Sequence, residues 1–287
     1  MIQPSKEQDY FYYGITAGHR YCLVDISHAL EDILSVHPQL GDDAAFLLSN
    51  TLVGVFLISD LVKQDTKVSM QISFLENSPI HSVLAYSNRS GELKGSVRYR
   101  EDILEDPELE ITGVLKVFRW KEGELIYQSF TSFSPDNFED NIRNYLRESE
   151  QLKSHLKISV QKVEGKWYAR GLLLQALPGV SFEEVDQVKA GFDKFYLRDE
   201  EFMHQELPAL MELLKSDLNV PALEILQKGS PIAKCDCSRE KIAAVILSLG
   251  EEYAEEVVRD EGKMELTCEF CNTSYIFNQS DIDEIFS

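Results

Sequence analysis

Four of the chain's five cysteines lie in two close pairs near the end of the sequence, and this pattern constrains the fold more than any other feature. Cys235 and Cys237 form the first pair, Cys268 and Cys271 form the second, and thirty residues separate the pairs. Such a pattern is typical of a tetrahedral metal site in which each pair supplies two thiolate ligands. Because sulfur is a soft ligand, Zn²⁺ is favoured over Ca²⁺ or Mg²⁺. We expect these four residues to bind one zinc ion per chain.

The role of such a metal stays open at the level of the residues. The first pair is Cys-x-Cys, a tighter turn than Cys-x-x-Cys, and its two sulfurs are near enough for a strained disulfide. The pattern is compatible with a structural zinc site, which is the commoner case for four cysteines. It is also compatible with a redox switch.

The balance of charge excludes one class of partner. The chain has 28 basic and 49 acidic residues, which gives a formal net charge of −21. A surface of this sign repels phosphate backbones, so we expect no nucleic-acid partner. The hydrophobic share of 44% is typical of a globular chain with enough length to bury a core.

We expect the protein to be cytoplasmic, with reduced thiols and no membrane partner. The first six residues lack the basic and then apolar regions of a signal peptide. Residues 44–59 are uncharged, but they are few for a membrane span and are flanked by Asp43 and Asp60 without a basic residue. They predict a buried core helix instead.

The chain is predicted to be an α+β protein with a mixed sheet-and-helix core domain at residues 1–178. Alternating apolar residues predict strands, and a long apolar run predicts a helix. The predicted strands are 10–16, 20–25, 68–74, 81–86, 93–99, 111–120, 125–133, 156–163 and 167–176. The predicted helices begin after a cap at Ser27, cover residues 43–62, and run from a cap at Ser134 to about residue 151.

Residues 179–230 are predicted to form a helical linker, because a Leu-Pro-Gly sequence at 177–179 marks a boundary. An amphipathic helix follows, and Pro208 is predicted to bend the apolar stretch after it. Its face is either docked permanently on the core or buried only conditionally. The apolar residues of the first helix are Phe182, Val185, Val188, Phe192, Phe195 and Tyr196.

Residues 231–287 are predicted to form a small zinc-binding domain. Ser238 is expected to cap a helix over 239–249, and a second helix covers 251–259. A hairpin with the second cysteine pair at its tip and a last helix capped by Ser280 complete the domain. With 57 residues the domain has a small core and needs a further source of stability. Bound zinc would supply about 10–16 kcal/mol of apparent folding energy.

The cysteine spacing resembles that of the heat-shock protein 33 family. Residues 144–151 (NYLRESEQ) and 171–179 (GLLLQALPG) resemble the same family, and residues 93–99 are a weaker match. The resemblance covers essentially the whole chain except about the first thirteen residues.

That resemblance implies a redox-regulated chaperone, not an enzyme. In the reduced form the four thiolates hold zinc and the protein is inactive. Oxidation by hypochlorite, or by peroxide with heat, forms the disulfides Cys235–Cys237 and Cys268–Cys271. Zinc is then released, and the zinc domain and the linker unfold. The exposed apolar surface, for which the six linker residues above are candidates, then binds unfolding client proteins without ATP. The oxidised form is expected to be a homodimer.

Two other functions remain open from the residues alone. The first is a static zinc-ribbon adaptor that mediates protein contacts. The second is a thiol–disulfide oxidoreductase that uses Cys268 and Cys271. The second is less favoured, because such enzymes carry the motif at a helix start within a βαβ unit.

Overall fold

The computed structural model describes residues 10–63, 65–75, 78–100 and 112–287. The chain forms two compact units, of which the first reaches to Ala233 and the second is Lys234–Ser287. Sheets and helices occur together, so the predicted α+β class is confirmed. The first six residues, which carry the expectation about a signal peptide, lie outside the described residues, as does Ile111 at the start of a predicted strand.

The first unit contains most of the secondary structure. Its strands are β1 (Phe11–Thr16), β2 (His19–Asp25), β3 (Thr66–Phe74), β4 (Ile80–Asn88), β5 (Glu92–Tyr99), β6 (Gly113–Lys121), β7 (Glu124–Phe133), β8 (Ser154–Val163), β9 (Lys166–Ala176), β10 (Glu224–Gly229) and β11 (Ile232–Ala233). Its helices are α1 (Ser27–Ser35), α2 (Asp42–Ser59), α3 (Phe138–Glu148), α4 (Phe182–Tyr196), α5 (Asp199–His204) and α6 (Leu207–Leu218). The strands predicted up to residue 176 are present within two residues at the ends that the structure describes.

Two sheets organise this unit. The first sheet has the strand order β10-β1-β2-β9-β8, and the second has the order β11-β5-β4-β3-β6-β7. Neighbouring strands are antiparallel except β11 and β5, which are parallel. Helix α2 contacts strands of both sheets and lies in the core between them.

Helix α2 is the predicted core helix. It is long and apolar enough to cross a membrane by composition, yet fourteen of its eighteen residues are buried inside the protein. The polar side chains within it are satisfied locally. Ser49, Asn50 and Thr51 each donate a hydrogen bond to a carbonyl one turn earlier, at 2.6–2.9 Å. The prediction of a buried helix is therefore confirmed.

The first sheet is apolar on both faces. Side chains alternate along each strand, so neighbours in sequence enter different cores. Phe11, Tyr13, Cys22, Val24 and Leu173 face the core that contains α2. The opposite face, which we call the covered face, packs against α4, α5 and α6, which we call the cover. The apolar residues of the covered face are Tyr12, Tyr21, Leu23, Leu172 and Leu174.

Two predicted helix caps in the first unit were wrong. Ser27 is the first residue of α1 and not its cap, and its hydroxyl donates to Asp25 at 2.5 Å. Helix α3 is capped by Asn137, whose side chain accepts from the backbone N–H of Asp140. The predicted cap, Ser134, lies in the preceding turn, where its hydroxyl donates to Asp136 at 3.2 Å.

The segment after residue 200 differs from the prediction in two ways. Pro208 does not bend a helix but lies in the first turn of α6, where its missing N–H costs nothing. Residues 224–233 were not predicted as strands, yet β10 pairs with β1 and β11 pairs with β5. Ile225 and Leu226 of β10 are exposed, so the strand lacks the alternation that would identify it. The division into residues 1–178, 179–230 and 231–287 stays a prediction.

Asp60 is a buried acid immediately after α2. Burial raises the pKa of its carboxyl from the ordinary value to about 6, although Arg20 and Arg89 act to lower it. Arg89 Nη2 lies 3.7 Å from Oδ1 of Asp60. The folded protein therefore binds a proton at Asp60 more tightly than the unfolded chain does.

We expect Asp60→Asn to change the pH dependence of folding. The proton bound at Asp60 contributes roughly 3 kcal/mol to the free energy of unfolding. This contribution is fully present below about pH 4 and is lost as the pH rises through about 6. The variant should lose less free energy of unfolding over this range than the wild type. Urea unfolding followed by tryptophan fluorescence measures it, because Trp120 and Trp167 both lie in the first unit. Asp65→Asn, at an exposed acid, is the control; equal pH slopes for all three proteins would contradict the prediction.

Candidate metal centre

The four paired cysteines converge in the second unit. Their sulfur atoms all lie within 4.8 Å of one another. Cys235 Sγ is 3.6 Å from Cys268 Sγ, and Cys237 Sγ is 3.4 Å from Cys271 Sγ. Sulfurs bound to one tetrahedral zinc at about 2.3 Å would lie roughly 3.8 Å apart, whereas a disulfide requires about 2.05 Å. The four thiols are free, and their spacing suits a single tetrahedral cation.

The first pair is positioned by the start of a helix. Helix α7 (Arg239–Leu249) follows Cys237 after one residue, and its cap Ser238 accepts from the backbone N–H of Lys241. Lys241 Nζ also donates to the carbonyl oxygen of Asp236 at 2.6 Å and to its carboxylate at 2.9 Å. The residue between the two cysteines is thereby tied to the first turn of α7. The predicted cap and helix are confirmed.

The second pair lies in the turn between β12 (Met264–Thr267) and β13 (Ser274–Phe277). The N–H of Cys268 donates to the carbonyl of Thr273 at 3.0 Å, and the N–H of Asn272 donates to the carbonyl of Cys268 at 2.9 Å. Asn272 has a φ of 54°, a left-handed conformation that asparagine tolerates. The predicted hairpin is confirmed.

The rest of the second unit supports these two turns with a small core. Helices α8 (Glu251–Glu261) and α9 (Gln279–Ile285) pack with α7 and the hairpin. The Arg239 guanidinium lies 4.2 Å from the ring centre of Phe277 and 2.8 Å from Asp281 Oδ1. The cap of α9 is Asn278, so the predicted cap at Ser280 was wrong. The buried core residues are Ile246, Ala254, Val258, Met264, Phe277 and Ile282.

The thiols of Cys235, Cys268 and Cys271 differ in pKa. Burial raises the pKa of Cys235 and of Cys268. Burial also acts to raise the pKa of Cys271, but hydrogen bonds with Thr273, Cys237 and Cys235 together outweigh it and lower the pKa to about 7. A metal ion binds the thiolate and not the thiol. Cys271 is therefore the readiest of these three to supply a thiolate.

Tyr275 is a contributor that the sequence analysis missed. Its hydroxyl donates to Cys237 Sγ at 3.2 Å, and this bond raises the pKa of Tyr275 to about 12. No spacing rule identifies it, because Tyr275 lies in β13 and Cys237 precedes α7, 38 residues earlier in the chain. A hydrogen bond to a ligand atom of this kind orients the ligand.

The six candidate surface residues of the linker all lie in the first unit. Val188, Phe192 and Phe195 are buried against the covered face, and Val185 and Tyr196 are partly buried. Phe182 lies outside this cluster and is 78% exposed. The structure thus places four of the six, Val188, Phe192, Phe195 and Tyr196, in or beside the contact between the cover and the sheet.

The fifth cysteine, Cys22, is separate from the metal centre. It lies in β2, and burial raises the pKa of its thiol well above the ordinary value.

The chain is similar to a set of bacterial proteins over nearly its whole length. The family described as Hsp33 protein matches residues 9–278. The chain is 27% identical to the 33 kDa chaperonin of Vibrio cholerae over 286 residues, which cover 94% of each protein. It is also 27% identical to the 33 kDa chaperonin of Escherichia coli, with 98% of this chain and 96% of that protein covered.

The fold is similar to a crystal structure from Thermotoga maritima, described as a 33 kDa chaperonin and heat shock protein 33 homolog. The TM-score is 0.78 at 24% sequence identity, and the match covers 97% of this chain and 98% of the other. At this identity the likeness shows that the two proteins share a fold.

We expect Tyr275→Phe to weaken Zn²⁺ binding by about tenfold, because the variant keeps the ring and loses the hydrogen bond to Cys237. Competition with a chelating dye at constant pH measures the affinity. Tyr253→Phe, at a half-exposed tyrosine of α8, is the matched control and should bind like the wild type. Equal affinities for the two variants would show that the Tyr275 hydroxyl does not support the site.

Proposed function

The chain belongs to the Hsp33 family, and we propose that it is a redox-regulated chaperone that holds unfolding proteins without ATP. The observation that carries the proposal is the convergence of four free cysteine sulfurs in a unit with a small core. Relatives that match over nearly the whole chain are named 33 kDa chaperonins, which supports a chaperone function over an enzymatic one.

In the reduced form, Cys235, Cys237, Cys268 and Cys271 would hold one Zn²⁺. The donor set fits this ion, because four thiolates form the usual ligand set of structural zinc. The bound ion would join the start of α7 to the hairpin turn and supply about 10–16 kcal/mol of apparent folding energy. The six buried core residues of this unit alone are few for independent stability.

Oxidation would remove the ligands. Two thiols and one hypochlorous acid give one disulfide, one chloride, one proton and one water, so each disulfide accounts for two electrons. A disulfide sulfur is no longer a thiolate ligand. The pairs Cys235–Cys237 and Cys268–Cys271 are proposed from the family resemblance. All four sulfurs lie within 4.8 Å of one another, and either disulfide would require its two sulfurs to approach to about 2.05 Å.

Loss of the ligand set would unfold the zinc domain, residues 231–287, and release the linker, residues 179–230. The cover would then leave the covered face, and apolar surface on both would become available to unfolding clients. Phe192 and Phe195 belong to this buried contact, which supports their role in a masked surface.

The remaining parts of the proposal concern partners and location. Unfolding proteins are the proposed clients, and the oxidised form is proposed to be a homodimer. We propose a cytoplasmic protein of the stress response, without nucleic-acid or membrane partners. The net charge of −21 supports the exclusion of nucleic acid.

A static zinc-ribbon adaptor is the alternative, since the same four sulfurs would suit a permanent metal site. A thiol oxidoreductase is less supported, because Cys268 and Cys271 lie in a hairpin turn and not at a helix start.

We expect hypochlorite to release about one zinc per chain, the number for a single four-cysteine site. Aggregation of a heat-denatured client should be suppressed only after this treatment. A chelating dye and light scattering follow the two events in one sample. Cys22→Ala should behave like the wild type, whereas Cys268→Ser should bind zinc weakly. Zinc retained after oxidation, or released without protection of the client, would favour the adaptor.

We also expect Phe192→Ser and Phe195→Ser to loosen the cover, because each removes a buried ring at a cost of about 3–5 kcal/mol. Client protection should then appear at a lower dose of oxidant, measured by light scattering across a hypochlorite titration. Leu197→Ser, at an 80% exposed residue of the same segment, is the control. An unchanged titration and unchanged client binding for both phenylalanine variants would discard the masked-surface hypothesis.

A further inference from the structure

Two positively charged side chains are buried among the apolar residues of the covered face. Lys157 of β8 is 2% exposed and Arg170 of β9 is 6% exposed. Lys157 lies opposite Leu172 in the sheet, so it shares the face of the apolar residues there. Burying a charge is unfavourable unless it is well paired. The partners of these two cations are therefore informative.

Lys157 finds its partners in the cover. Its ammonium nitrogen donates to the carbonyl of Tyr196 and to Oδ1 of Asp199, both at 2.5 Å. The same nitrogen lies 4.7 Å from the ring centre of Tyr196 and 5.2 Å from that of Phe202. Within the described residues, its polar contacts all go to the start of α5 and the residues just before it.

Arg170 divides its contacts between the cover and the sheet. Its Nη1 donates to the carbonyls of Phe202 and Gln205, at 2.9 and 2.6 Å. Its Nε donates to Asp25 Oδ2 on the neighbouring strand at 2.7 Å. If the cover leaves, Arg170 keeps this carboxylate, whereas Lys157 loses the acid with which it is paired.

We infer that the covered face, once exposed, prefers client segments that combine aromatic or apolar side chains with an acidic one. This inference rests on the proposed function. The segment that occupies the face in the structure has this chemistry, since residues 195–205 read FYLRDEEFMHQ. Lys157 selects the acidic side chain, and Arg170 donates hydrogen bonds to the unpaired backbone carbonyls that any unfolding chain presents. The cover is thus a model for the client.

Because the whole protein is negatively charged, a preference for acidic segments would indicate a local positive charge on the covered face. A net charge of −21 attracts basic segments and repels acidic ones at long range. At about 0.15 M salt the screening length is roughly 8 Å. Contacts at Lys157 then dominate over the distant charges, and a preference for acidic segments requires a local cation.

The experiment uses the full chain, oxidised with hypochlorite and first shown to suppress client aggregation. The probes are two fluorescein-labelled peptides, one with the sequence of residues 195–205 and one with Asn, Gln and Gln in place of its three acids. Fluorescence anisotropy at about 0.15 M salt measures both affinities. The released cover competes equally with each peptide, so it does not alter their ratio. We expect the acidic peptide to bind about tenfold more tightly, which corresponds to about 1.4 kcal/mol.

Variants at two lysines of β8 identify the source of the preference. Lys157→Met should bind the acidic and the amide peptide with equal affinity. Lys157→Arg, which keeps the charge, should retain the tenfold preference for the acidic peptide. Lys162→Met is the matched control, because Lys162 lies on the opposite face of the strand and pairs with Asp42. If Lys157→Met does not fold, the comparison of the two peptides on the wild-type protein still tests the inference.

The outcomes separate this inference from the proposed function. An oxidised chain that protects clients but binds both peptides equally, or prefers the amide peptide, overturns the inference alone. A preference that persists in Lys157→Met also overturns it. An oxidised chain that gives no protection overturns the proposed function instead.

Discussion

Burial of both faces of one five-stranded sheet is the constraint on which the first unit depends. Adjacent residues such as Tyr12 and Tyr13 enter different cores, one lined by the cover and one by α2. A sheet that is apolar on both faces must be covered on both to stay soluble. Helix α2 lies in the core between two sheets, whereas the cover lies over one face only. The covered face is therefore the one that the fold can expose with its main core intact.

The second unit, unlike the first, depends more on the chemistry of its cysteines than on the packing of its core. Its six buried core residues are few, and its four thiols converge from a helix start and a hairpin turn. A metal bound by all four would contribute folding energy that the core does not supply. Chemistry at sulfur would then be coupled to folding, which is the physical basis of the proposed switch.

The covered face also shows why a masked surface need not be purely apolar. Lys157 and Arg170 are stabilised there by carbonyl and carboxylate oxygens of the cover, and by Asp25 within the sheet. Removing the cover would deprive both cations of the cover's oxygens, so that Lys157 would lose its paired acid while Arg170 would keep Asp25. Such a face would bind by hydrophobic burial and would discriminate by charge. The selectivity of the exposed face would follow from the same two cations that bind the cover in the folded protein.

The sequence by itself determined the features whose signals are local. The cysteine spacing indicated the metal centre, the apolar run indicated α2, and Ser238 marked the start of α7. The tertiary structure alone decided the features that depend on distant partners. Strand β10 pairs Gly229 with Phe11 without an alternating pattern, and Tyr275 of β13 donates a hydrogen bond to Cys237. Caps and periodicity join residues a few positions apart, whereas these contacts join residues that only folding brings together.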